Sequence, residues 1–107
     1  MTDSASAPEA ARVAVEFHFT EVFTGQVARL RFGDGQTETP PLQTRFQTGL
    51  AHIEELELPD GEEVICELDD LDLQATITVD AMRPFVVVSL AGDRLDVAFE
   101  ATSPGYL

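Results

Sequence analysis

At 107 residues the chain has the length of one domain. Hydrophobic residues make up 44% of it, too many for a disordered chain, and 20 Asp and Glu face six Arg with no Lys, a formal net charge of −14. That charge repels nucleic-acid phosphate and anionic lipid, so direct DNA, RNA or membrane-surface binding is not expected, and cationic partners or high salt are favoured.

Residues 1–11 are small and polar and read as a disordered tail. They lack the basic and apolar regions of a secretory signal, and no apolar run approaches the ~20 residues that span a bilayer, so a soluble, cytoplasmic protein is expected. A single β domain is expected over 12–102, with a C-terminal tail at 103–107.

Val13, Val15, Phe17 and Phe19 alternate with Ala14, Glu16, His18 and Thr20. This two-residue period predicts a strand with one buried face. Ala28, Leu30 and Phe32 alternate with Arg29 and Arg31, and Gly33-Asp34-Gly35 supplies a tight turn.

The stretch 36–61 is ambiguous. Pro40-Pro41 breaks regular structure. Leu42, Phe46, Leu50 and Ile53 fit one helical face, yet Leu42, Thr44 and Phe46 also alternate as a strand would. Thr44, Thr48 and Gly49 are weak helix formers, so extended or irregular structure competes with a short helix in 42–57. Pro59-Asp60-Gly61 predicts a turn, with a hairpin joining Ile53–Leu58 to Glu62–Leu68.

In the last third, Leu71, Leu73, Ala75, Ile77 and Val79 alternate with polar residues, Phe85–Leu90 is nearly all apolar, and Leu95, Val97, Phe99 and Ala101 alternate again. A three-stranded meander with a central strand covered on both faces follows from this pattern. The whole predicts an all-β domain, an antiparallel β-sandwich or small barrel of six to seven short strands.

One feature is unusual. Ten of the twenty acids lie between Glu54 and Asp72: Glu54, Glu55, Glu57, Asp60, Glu62, Glu63, Glu67, Asp69, Asp70 and Asp72. No Arg occurs from Phe46 through Met82, although folding can bring Arg29, Arg31 or Arg45 opposite these acids. The run reads either as a solvated face suited to high salt or as a docking surface for a partner with a basic surface.

Other constellations are weaker. Asp69, Asp70 and Asp72 lack the spacing of a calcium loop. Glu16 and His18 share the outward face of the first strand and His52 could join them, but zinc needs three or four ligands; an exposed surface histidine is the plainer reading. Cys66 lies in an apolar context and reads as a small buried hydrophobe. Ser89 lacks a nucleophile elbow. Arg29 and Arg31 read as outward residues paired with acids across a sheet.

No catalytic, metal or cofactor site is therefore expected. The leading expectation is a non-enzymatic protein-interaction or assembly module docking through the acidic run, with a homo-oligomer compatible. One alternative is an acidic inhibitor or immunity-type protein that mimics nucleic-acid charge. The other is a small β-barrel carrier or enzyme with a cavity lined by inward Phe17, Phe19, Phe32, Phe46, Phe85 and Phe99.

Overall fold

The structure is a computed structural model and describes residues 12–21, 23–33, 35–45 and 49–103. The expected N-terminal tail at 1–11, residues 104–107 of the expected tail at 103–107, Asp34 of the glycine turn, and residues 46–48 of the competing short helix in 42–57, with Phe46 of the cavity lining, lie outside these residues.

Among the described residues ten strands follow one another: β1 (Arg12–Phe19), β2 (Thr24–Gln26), β3 (Ala28–Phe32), β4 (Gly35–Glu38), β5 (Leu42–Gln43), β6 (His52–Pro59), β7 (Glu63–Leu68), β8 (Leu73–Thr78), β9 (Phe85–Ala91) and β10 (Arg94–Glu100). Sheet I has the order β10-β9-β1-β6, and sheet II the order β4-β3-β7-β8. β2 and β5 form a short ribbon beside them. The all-β class is as expected, with more strands than the sequence suggested. Residues 42–43 and 52–59 are extended, not helical; the helical element among the described residues is a 3-10 turn at Asp69–Leu71. Among the described residues no helix is long and apolar enough to cross a membrane.

The alternation of β1 does what its pattern dictates. Val15, Phe17 and Phe19 are buried with Val86, Val88 and Leu90 of β9 on the inner face of sheet I. Ala28, Leu30, Val64, Cys66, Leu68 and Ile77 answer from sheet II. Each large apolar side chain so buried contributes roughly 1.5–3 kcal/mol. The β3–β4 hairpin closes where expected: Phe32 pairs with Gly35, and Gly33 takes φ 54°.

Two expected connections are wrong. Pro59–Glu62 is a turn, closed by the Glu62 N–H donating to the Pro59 carbonyl at 3.1 Å with Gly61 at φ 89°, but it joins no hairpin. β6 pairs with β1 in sheet I, whereas β7 pairs with β3 and β8 in sheet II. The meander is likewise split. β7–β8 and β9–β10 are hairpins, and 79–84 carries the chain between the sheets. Periodicity reports which face is buried; it carries no information about which sheet a strand joins. β9 is central, between β10 and a parallel β1, with its inner face buried and its outer residues Phe85, Val87 and Ser89 only half-buried.

Candidate functional site

The acidic run occupies a strand, a turn and a second strand. Glu54, Glu55 and Glu57 are on β6; Asp60 and Glu62 are in the turn; Glu63 and Glu67 are on β7; Asp69 and Asp70 begin the 3-10 turn; and Asp72 follows it at φ 55°. Because β6 and β7 belong to different sheets, the run does not form one face. Glu55 and Glu57 have the outward parity of sheet I, opposite Glu16 and Ala14 of β1. Glu63 and Glu67 have the outward parity of sheet II, alternating with buried Val64, Cys66 and Leu68. Asp69–Leu71 is a turn rather than a strand, so Asp70 and Asp72 do not share a strand face.

Folding does supply arginine to part of the run. β3 and β7 pair so that Arg29 stands opposite Glu67, and Arg31 is two residues along the same face. Arg29 Nε donates to Glu67 Oε1 at 2.9 Å and its Nη2 to Asp69 Oδ1 at 2.8 Å; Arg31 Nη2 donates to Glu67 Oε2 at 3.0 Å. Hydrogen bonding from Arg29, helped by Arg31, holds the Glu67 carboxyl below the usual glutamate range, and Glu67 in turn raises the Arg29 guanidinium. Asp60 is tied by its Oδ1, which accepts from the Ala81 N–H at 3.0 Å. Glu55, Glu57, Glu63, Asp70 and Asp72 are exposed and have no cationic partner among the described residues.

The two histidines form separate pairs. His18 Nε2 lies 2.8 Å from Glu16 Oε1 on the outer face of sheet I, with the Phe85 ring edge-on at 6.2 Å. His18 is only 1% exposed, so it is not the surface histidine the alternation suggested. Phe85 is correspondingly on this outer face rather than inside the sandwich. His52 makes the same i, i+2 contact with Glu54, at 2.8 Å, but its parity is that of inward Phe19, whose ring it stacks against. His52 therefore does not join Glu16 and His18. Among the described residues no group of three or more His, Cys, Asp or Glu is placed to hold a metal ion.

Cys66 is fully buried, and desolvation pushes its thiol up to about 12. The Ser89 hydroxyl is 2.7 Å from Thr20 Oγ1, with no histidine between them. Arg45 contributes instead to an open cleft of about 350 Å³ with Glu21, Phe23 and Gly49, which no sequence motif announced. A second cleft, of about 430 Å³, lies where the β8 side meets β10. Arg83 there spans Asp80, at 3.2 Å, and the Phe99 ring, at 5.5 Å. The Met82 N–H, with help from Arg83, holds the Asp80 carboxyl low.

Comparison of the chain with protein-family models, with curated proteins and with solved structures yields no match.

Proposed function

We propose that this domain is a non-enzymatic interaction module that docks to a partner protein with a basic surface, and that the docking acids are those left over after Arg29 and Arg31 have taken Glu67 and Asp69. The observation that carries this reading is the pair Glu55 and Glu57: of the leftover acids, these two are exposed carboxylates side by side on the outer face of one strand, without a cationic partner among the described residues, whereas Glu63 faces outward from the other sheet. Held on strands, they lose little conformational freedom when a cation arrives, and a partner's Lys or Arg relieves their mutual repulsion. Glu67 and Asp69 have already been neutralised within the domain and belong to its stability.

The test is native mass spectrometry of the protein recovered from its own cells at low and high ionic strength, beside a variant carrying Glu55→Lys and Glu57→Lys. The expected result is a stoichiometric protein partner rich in Lys and Arg, released by salt and missing from the variant. A partner retained equally by both proteins counts against the assignment. So does turnover of an ester, phosphate or glycoside substrate by the purified protein.

A further inference from the structure

β6 is the outermost strand of sheet I, with only β1 beside it among the described residues. Which of its backbone groups are left bare follows from β1. The Glu16 and Thr20 N–H groups donate to the Pro84 and Val88 carbonyls, on the β9 side, at 3.0 and 2.9 Å. Backbone groups point to alternate sides along a strand, so even-numbered residues of β1 bond towards β9 and odd-numbered ones towards β6. Val13, Val15, Phe17 and Phe19 stand in register with Leu58, Leu56, Glu54 and His52. Those four residues of β6 turn their backbone to β1. Ile53, Glu55 and Glu57 turn theirs to the open edge.

Of the polar groups on that edge, the Glu57 carbonyl accepts from Arg12 Nη1 at 2.9 Å. The N–H groups of Ile53, Glu55 and Glu57 and the carbonyls of Ile53 and Glu55 have no partner among the described residues. They recur every second residue, a spacing of about 6.8 Å, which is the repeat a neighbouring strand presents. The side chains of the same three residues are exposed on the outer face. An incoming strand would therefore meet both the bare backbone row and the side-chain row Ile53, Glu55, Glu57.

The charge of this row decides the occupant. A second copy of β6, paired antiparallel and centred on Glu55 or between Glu55 and Glu57, sets carboxylate against carboxylate, which is destabilising. A strand with Lys or Arg at those positions makes favourable cross-strand pairs instead. We propose that β6 accepts an extended segment of a partner protein as a fifth strand of sheet I. Run antiparallel, this segment reads basic–x–basic–x–apolar, its basic residues facing Glu57 and Glu55 and its apolar residue facing Ile53. The inference deepens the docking reading above and rests on it. Main-chain bonds supply affinity and alternate side chains supply selectivity.

The test uses the full chain and a synthetic ten-residue peptide, blocked at both ends, with Lys-Thr-Lys-Thr-Val at its centre. A second peptide has the same sequence but is N-methylated on the amides that face β6. Hydrogen exchange is followed residue by residue by NMR at about 20 mM salt, where exposed charges are weakly screened. The expected result is exchange slowed at least about tenfold at the Ile53, Glu55 and Glu57 amides by the first peptide, and no binding of the second. Equal binding of both peptides, or binding that leaves those three amides fast, overturns strand addition and leaves the docking reading standing. If neither peptide binds, and a scrambled Lys-rich peptide does not bind either, both readings fail.

Discussion

Arg29 and Glu67 face one another in register on adjacent strands, and the Arg29 guanidinium spans from Glu67 to Asp69 with contacts of 2.9 and 2.8 Å. The pair ties β3 to β7 across the outer face of sheet II and accounts for the depressed Glu67 carboxyl.

A pH dependence follows with a definite sign. A carboxyl whose pKa is lower in the folded state stabilises that state above its unfolded value, near 4.5 for Glu67, and loses this contribution as pH falls through the lower folded value. The melting temperature of wild type should exceed that of Glu67→Gln at pH 7. The gap should close on acidification and vanish once the pH has fallen below the lowered folded value. Thermal melts followed by circular dichroism between these limits check it; a gap that persists in acid means that packing, not charge, makes the contact.

The placement of two phenylalanines is open to direct measurement. Phe17 is completely buried between the sheets, so Phe17→Ala should lower unfolding free energy by about 3–5 kcal/mol. Phe85 is half-buried on the outer face, and Phe85→Ala should remove less than about 2 kcal/mol. Urea unfolding of the two variants gives the comparison, and equal losses would contradict the outward placement.

Cys66 should be chemically silent in the folded protein. Its thiol is fully buried and raised to about 12, so at pH 8 a disulfide exchange reagent should label it only as fast as the domain opens. In denaturant the reaction should be prompt, with one thiol per chain.

Salt should act in two opposed ways, with one dominant. Screening weakens the Arg29 and Arg31 contacts, which are partly exposed, but it also relieves repulsion within a chain of net charge −14. The urea midpoint is expected to rise between about 0.05 and 1 M NaCl. A fall would mean that the ion pairs outweigh self-repulsion.

How much of this was legible in the sequence depended on the range of the information. The strand at Arg12–Phe19, the glycine hairpin and the alternating C-terminal strands were readable because side-chain parity and turn chemistry are local. The destination of each strand was not. Nothing between Ile53 and Leu68 says that the turn at Pro59–Glu62 crosses between sheets, and that crossing is what divides the acidic run between opposite faces. The burial of Cys66 followed from its apolar neighbours, and the outward pairing of Arg29 and Arg31 from their alternation. The burial of His18 did not, because an outward parity ordinarily means exposure. The bare backbone edge of β6 had no sequence signal, since it depends on which strand lies beside it.

β1 runs parallel to β9 and antiparallel to β6, so the earliest strand of the described chain lies between two of the later ones. As the chain leaves the ribosome, Val15, Phe17 and Phe19 must wait for partners some thirty to seventy residues downstream. Pairings of such long sequence separation form slowly. Until His52–Pro59 has emerged, the most apolar strand of the first half lacks either of its neighbours, and until Phe85–Ala91 follows it has only one.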